Sequence, residues 1–436
     1  IGTSGQESAG ATIHGHVYGG SALGCVNTSK PASELVFDDT KLTHVNLYKG
    51  TINGYAYGGG LGNAGTPAYV GGDVTVILDG AKVHQVFGCN NLNGTPKGHV
   101  LVHVKQTNNF SGNNDYKNNS ETALDARTTY DVEAVYGGGN QADYNPTKAT
   151  GSDADKKQAF AEVKIEGCDK TSIEYVYGGG NAAAVPADSI TIESAYIIGY
   201  LFGGGNGAGA GNPGADVGVI DRDAYAADNS TGIYGTGIAK TKLKGGQVRY
   251  VYGGSNTKGN VRGGTSLERK EINPTCSLKV KEIYGAGQVA PMDGNDNITL
   301  ECMPEDFVPQ VFGGAKNAIV NGNVSLTVTS GKFGRVFGGN NLGGSINGSI
   351  TVNAYEDGCQ PLIIGELYGG GFNAPYSIWG CNDDDEDGTW EPNTPAGDPH
   401  VAENANAISV NVYSCTSIGK VFGGGFGATT NVVGNT

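Results

Sequence analysis

The chain has 436 residues with a formal net charge of −15, and its lysines and arginines are scattered singly. This distribution argues against nucleic acid or an anionic membrane surface as a partner, because both need a concentrated basic face. The 75 glycines exceed twice the usual share of about 7%, yet Val, Ile and Tyr are plentiful and no three-residue period occurs. Collagen and disorder therefore fit poorly, and strands joined by tight glycine turns fit better.

Targeting and cysteine patterns add two expectations. No apolar run approaches the roughly 20 residues that span a bilayer, and no N-terminal signal peptide is visible. The 8 cysteines are widely spaced without a CxxC pair. This spacing argues against a zinc ribbon and leaves two alternatives, a few disulfides in an oxidising compartment or buried free thiols.

One phrase, an aliphatic residue followed by an aromatic residue and glycines, recurs along the chain. The shortest spacing between copies is 25 residues and occurs twice, so longer spacings are interpreted as that unit plus an insertion. Twenty-five residues are too few for a propeller blade of about 40, but they suit one coil of a parallel β-solenoid. The aromatic positions are Tyr18, Tyr57, Phe87, Tyr136, Tyr177, Phe202, Tyr252, Tyr284, Phe312, Phe337, Tyr368 and Phe422.

The clearest unit, residues 321–341, reads NGNVSLTVTSGKFGRVFGGNN. Val324, Leu326 and Val328 alternate with hydroxyl residues, which predicts a strand with one apolar face. A turn follows, and Val336 and Phe337 form a second short strand that ends at glycines. The chain is therefore predicted to be all-β, a single parallel β-helix over residues 1–436 with about twelve coils and a length of about 55 Å.

The glycines and asparagines after each aromatic residue predict a sharp corner. Glycine permits a positive φ or a close backbone approach, and stacked asparagines predict an amide ladder that includes Asn256. A phosphate-binding interpretation is disfavoured because no helix or P-loop lysine follows any copy. The aliphatic residue is expected in the core, whereas the direction of the aromatic residue stays open. The predicted corner residues are Gly137, Gly138, Asn140, Gly178, Gly179, Asn181, Gly203, Gly204, Asn206, Gly338, Gly339 and Asn340.

Six insertions interrupt the repeat, and five of them fall between the glycine corner and the next alternating strand. They should therefore lie along one edge of the rod, which either binds a partner or merely tolerates extra length. The predicted insertions are residues 21–41, 107–131, 141–160, 207–240, 255–275 and 374–406, of which only 107–131 follows the strand.

The last insertion contains a candidate calcium loop. Asp383, Asp385 and Asp387 alternate before a glycine, and Glu391 adds a fourth acid, as in loops that surround Ca²⁺ with oxygens. Thr394 stands where an EF-hand has its bidentate glutamate. A solvated acidic loop is the alternative interpretation.

Two tryptophans, Trp379 and Trp390, flank this acidic loop. They are candidates for stacking on sugar rings, or they fix the long loop to the rod. Carboxylates concentrate in the insertions rather than on the strands, so no catalytic and no cofactor-binding residue is predicted.

The repeated V-[YF]-G-G-G-N phrase resembles that of glycine-rich β-helix surface proteins of Bacteroidetes-type bacteria. The copies extend from Val17 to Phe422, nearly the whole chain. The resemblance implies an exported β-helical protein that is secreted or located at the cell surface.

These patterns favour a non-enzymatic structural protein that assembles end to end into a filament or forms a stalk. The first unit starts almost at residue 1 and the last phrase stops where a strand should follow, so unpaired rungs are expected at both ends. A fragment of a longer solenoid is the alternative interpretation of these ends. Two other functions stay open: an adhesin that binds glycan or protein through the insertion edge, and a polysaccharide lyase or glycosidase.

Overall fold

The computed structural model of the protein is all-β. It describes residues 1–2, 10–28, 36–38, 40–108, 129–146, 160–208, 214–218, 236–303, 307–377, 381–382, 391–392, 406–427 and 432–433. Within these ranges no helix occurs, and most strands belong to two long sheets of twelve and eleven strands. Successive repeats supply successive rungs of each sheet, which confirms the predicted parallel β-solenoid.

We call the twelve-stranded sheet the aromatic sheet, because each of its strands ends on the aromatic residue of the repeat. Its strands pair in parallel and in chain order. They are Val17–Tyr18, Ala56–Tyr57, Gln85–Phe87, Val132–Tyr136, Ser172–Tyr177, Ile197–Phe202, Gly246–Tyr252, Leu278–Tyr284, Phe307–Phe312, Gly331–Phe337, Leu362–Tyr368 and Ser417–Phe422.

We call the eleven-stranded sheet the alternating sheet, because buried and partly exposed residues alternate along most of its strands. These are Leu42–Leu47, Asp73–Asp79, Val100–Gln106, Ala161–Ile165, Asp188–Ile192, Ile238–Leu243, Gly264–Arg269, Asp296–Leu300, Val324–Val328, Ile350–Ala354 and Ile408–Val412. Three small sheets complete the strands: Thr12–Ile13 with Thr51–Ile52 and Lys82–Val83, Tyr376–Ser377 with Val432–Val433, and Cys381–Asn382 with Glu391–Pro392.

A third side connects the corner after each aromatic strand to the next alternating strand. Here single residues of consecutive coils form parallel bridges, for example Val217 with Val261 and Val261 with Met292. These three residues are at most 1% exposed. The coil therefore has three sides around one core, and its third side is irregular enough to accept extra residues.

Parallel stacking in register puts equivalent residues of neighbouring coils on top of one another. Val324, Leu326 and Val328 belong to the main core together with Val336 of the aromatic sheet. The neighbouring Phe337 belongs to a second, separate cluster. Because adjacent residues of a strand face opposite sides, the repeat aromatics lie on the outer side of the aromatic sheet. The direction that the sequence left open is thus resolved.

Two aspartates interrupt the apolar core of the alternating sheet. Asp296 is fully buried and accepts a hydrogen bond from Thr265 Oγ1 at 3.0 Å. Asp188 is 2% exposed, and neither of its carboxyl oxygens has a partner among the described residues. Burial raises the pKa of both carboxyl groups well above the usual range.

The predicted insertion 255–275 is wrong in its bounds. This segment contains the alternating strand Gly264–Arg269, and the extra residues, about 270–277, follow that strand. Thr265, Leu267 and Arg269 follow the alternation of an ordinary strand. The strand was not recognised from the sequence because glycines stand at and before its start. The insertions around 107–131, 141–160, 207–240 and 374–406 lie largely outside the described residues.

Candidate assembly interface

The predicted corner glycines directly follow the aromatic strands. None of them has a positive φ. A Cβ on Gly137 would instead collide with the carbonyl oxygen of Gly178 in the next coil, and a Cβ on Gly178 with that of Gly203. Close approach between coils about 4.8 Å apart, rather than a left-handed backbone, therefore requires glycine here. The same holds along the rod, for example for Gly338.

Five asparagines from five consecutive coils form an amide ladder along this corner. Asn140 Nδ2 donates to Asn91 Oδ1 at 2.9 Å, and Asn181 Nδ2 donates to Asn140 Oδ1 at 2.8 Å. Asn206 Nδ2 donates to Asn181 Oδ1, and Asn256 Nδ2 to Asn206 Oδ1, both at 2.8 Å. Each inner amide thus donates to one neighbour and accepts from the other, which fixes the register of the coils.

The prediction that Asn340 joins such a ladder is wrong. Asn340 is the third residue after its aromatic, whereas the ladder uses the fourth, so its side chain turns inward. It accepts from the Ala315 amide at 2.8 Å and donates to the Ala318 carbonyl at 2.9 Å. The fourth residue, Asn341, donates to the Tyr284 hydroxyl at 2.7 Å. Counting from the aromatic residue would have distinguished the two asparagines.

The twelve repeat aromatics form one continuous stack along the rod. Consecutive ring centroids are 4.6 to 5.1 Å apart and the ring planes differ by 2° to 12°. The ladder asparagines cover part of this stack, since Tyr177 donates its hydroxyl to Asn206 Oδ1 at 3.0 Å. Burial raises the pKa of the Tyr177 hydroxyl, so this group stays a hydrogen-bond donor at physiological pH.

The last rung of the aromatic sheet exposes residues that are buried elsewhere in the rod. Val421 is 50% exposed and Phe422 is 41% exposed, whereas their equivalents Val336 and Phe337 are 0% exposed. The alternating sheet behaves in the same way, because Val412 on its last strand is 42% exposed. Among the described residues the strand Ser417–Phe422 also has a neighbouring strand on one side only, so its other edge presents unpaired backbone groups.

The first rung of the aromatic sheet is the complementary edge. Val17 and Tyr18 are partly buried, and Tyr18 stacks on Tyr57 with ring centroids 5.0 Å apart. The first alternating strand differs, because the amino group of Ile1 lies on its edge and donates to the Asn46 carbonyl at 2.7 Å. In the part of the chain that is described, the open edge at this end is therefore mainly that of the aromatic sheet.

Two disulfides connect coils that are not neighbours. Cys168 pairs with Cys276 and Cys302 pairs with Cys359. All four lie in turns between an alternating strand and the following aromatic strand, three rungs apart in the first pair and two in the second. Among the described cysteines Cys25, Cys89 and Cys415 are free, and of these three only Cys89 is buried.

The predicted calcium loop and its tryptophans lie beyond what the structure describes. Asp383, Asp385, Asp387, Trp379 and Trp390 are outside the described residues, and of Glu391 only the backbone strand is described. In the part of the chain that is described, no group of three or more His, Cys, Asp or Glu side chains could hold a metal ion. The calcium interpretation stays a prediction.

A comparison with known proteins finds no matching family model, curated protein or solved structure. Among the described residues there is also no helix of the length and apolarity that crossing a bilayer requires.

Proposed function

We propose that the protein is a non-enzymatic structural element of the cell surface or extracellular space, whose copies stack end to end into a filament or stalk. The observation that carries this proposal is the exposed last rung with Val421 and Phe422. Burying such side chains is favourable, at roughly 25 cal/mol per Å² of apolar surface. A rung of a second copy would bury them as every inner rung does.

The two ends of the rod carry matching versions of the repeat. In the inner coils an aliphatic residue stacks on an aliphatic residue and a ring on a ring, as Val336 pairs with Leu367 and Phe337 with Tyr368. Stacking Val421 on Val17 of a second copy would continue that register. The first rung and the last rung are different surfaces, so two stacked copies still present one unoccupied first rung and one unoccupied last rung. The assembly therefore grows as an open filament.

Two further observations support the proposed location and set the conditions of assembly. Two disulfides are typical of proteins in oxidising compartments outside the cytosol. The net charge of −15 repels a second copy at low ionic strength. Salt shortens the range of this repulsion, so filaments are expected to form more readily as ionic strength rises.

The decisive experiment places a lysine at either edge. Val421→Lys and Val17→Lys are each expected to stay dispersed in negative-stain electron microscopy and sedimentation, while the unaltered chain forms filaments. Val289→Lys is the matched control, because Val289 is 49% exposed and lies after a corner rather than on the last rung. It should assemble like the unaltered chain.

Mixing the two edge variants tests the polarity of the contact. Each copy of Val421→Lys keeps an intact first rung and each copy of Val17→Lys keeps an intact last rung. An equimolar mixture should therefore form dimers that cannot grow, although each variant alone is monomeric. The proposal would be overturned if the unaltered chain stayed as dispersed rods about 55 Å long at high concentration and high salt. Filaments formed by Val421→Lys alone would also overturn it.

A further inference from the structure

A groove of about 460 Å³ lies on the outer face of the aromatic sheet and extends to its penultimate strand. Four consecutive strands line it: Leu278–Tyr284, Phe307–Phe312, Gly331–Phe337 and Leu362–Tyr368. Their three spacings give the groove a length of about 14 Å along the rod axis. An elongated ligand parallel to the axis would fit this shape, and end-to-end stacking would leave the groove open.

The apolar part of the groove is the ring of Phe307. This side chain is 60% exposed, which is unusual for a phenylalanine in a solenoid whose other aromatics are mostly stacked and buried. Its ring lies against bare backbone, because a Cβ on Gly334 would be only 2.8 Å from Phe307 Cζ. Glycine at this position therefore gives the ring a flat support and leaves much of its surface open to a ligand.

The polar part of the groove is held in place by neighbouring side chains. Arg335 donates from Nε to Glu366 Oε2 at 3.0 Å, and its guanidinium carbon is 4.9 Å from the centre of the Phe426 ring. Within the described residues its two terminal nitrogens have no hydrogen-bond partner. Glu282 is oriented in the same way, since its Oε2 accepts from the Tyr284 hydroxyl at 2.7 Å. Fixed groups of this kind lose little freedom when a ligand binds.

The groove carries charges of both signs. Two cations, Lys281 and Arg335, and two anions, Glu282 and Glu366, line it together with the amide of Gln310. A third cation, Lys420, lies at its edge, where its Nζ donates to Glu366 Oε1 at 3.1 Å. A strongly charged ligand of either sign would meet groups of like charge here. Guanidinium and amide N–H groups beside carboxylate and amide oxygens instead suit a ligand whose surface mixes hydrogen-bond donors and acceptors.

We propose that this groove binds a segment of a neutral polysaccharide. A sugar ring has one apolar face of C–H groups, which would stack on Phe307, and a rim of hydroxyl groups that both donate and accept. Arg335 and Gln310 would donate to these hydroxyl groups, and Glu282 would accept from them.

The test is affinity electrophoresis of the full chain in gels that contain a soluble neutral polysaccharide, namely a β-glucan, a xylan or a galactomannan. At least one of them should retard the unaltered chain. Phe307→Ala should weaken that retardation about tenfold, because an aromatic contact contributes about 1.4 kcal/mol. Glu282→Gln should weaken it as well. Tyr355→Ala is the control, since Tyr355 is 36% exposed and lies outside the groove.

Any one of three results would overturn the proposal. Absence of retardation by all three neutral polymers would do so, as would equal retardation of the Phe307→Ala and unaltered chains. Retardation only by an acidic polymer such as alginate, abolished by salt, would assign the groove to an anionic ligand instead. Thermal melting of each variant shows whether it is folded. Replacing a side chain as exposed as Phe307 is not expected to disturb folding. Filament formation is measured separately and does not enter this readout.

Discussion

Replacement of Asp188 by alanine is expected to stabilise the solenoid. Its carboxyl group is buried without a hydrogen-bond partner among the described residues, and a buried polar group in that state costs about 1–3 kcal/mol. Asp188 pairs with Ala161 on one side and Ala239 on the other. Alanine would therefore continue an existing column without a clash, and we expect a gain of about 2 kcal/mol in the free energy of unfolding.

The gain should increase with pH. Burial raises the pKa of Asp188 in the folded chain, so the folded state keeps the proton that the unfolded state releases above about pH 3.9. The stability linked to that proton is complete below the unfolded pKa and is lost as the pH rises toward the folded pKa. Inside this window each pH unit removes about 1.4 kcal/mol from the unaltered chain through Asp188, a loss that Asp188→Ala does not have.

Urea denaturation followed by circular dichroism, at intervals from about pH 4 to about pH 8, measures both effects. Asp296→Ala is the control, because its loss would leave Thr265 without the acceptor that it now has at 3.0 Å. It should stabilise the chain less than Asp188→Ala does. Unfolding of Asp188→Ala at the same urea concentration as the unaltered chain, or at a lower one, at neutral pH would refute the predicted stabilisation. A difference between the two chains that stayed constant with pH would contradict the linkage argument.

Three further substitutions test the stacking of the coils. Gly178→Ala should destabilise the fold by about 3 kcal/mol in urea denaturation, because its Cβ meets a carbonyl of the next coil, whereas Gly15→Ala, with open space around it, should be nearly neutral. Asn206→Ala should cost about 2 kcal/mol by interrupting the amide ladder, and a melting temperature equal to that of the unaltered chain would contradict its structural role. Cys168→Ser should lower stability by about 3 kcal/mol under non-reducing conditions and have no effect in excess reductant.

The sequence was sufficient to predict the solenoid because its signals repeat. Alternation around Val324 and the phrase around Phe337 are local, and parallel stacking copies one local pattern into every coil. The same regularity predicted the amide ladder. It failed at Asn340, where a one-residue shift changes the direction of the side chain.

Features that depend on several coils were not predictable in this way. The disulfide between Cys168 and Cys276 bridges three rungs through a loop whose path no local pattern encodes. The groove at Phe307 combines outer positions of four coils that are far apart in sequence. The burial of Asp188 was also missed: it shares a strand face with Ile190 and Ile192, but a charged residue at the start of a strand is ordinarily expected to be exposed.

The two disulfides have a consequence for the mechanics of the rod. A chain pulled from both ends would unravel coil by coil and lengthen by up to about 3.4 Å per residue. The cysteines of the pair Cys168–Cys276 are 108 residues apart in the sequence, and those of Cys302–Cys359 are 57 apart. While the disulfides are intact, about 370 Å and about 190 Å of chain length therefore cannot be extended. Reduction would release this hidden length, and the protein would then extend much further under the same force.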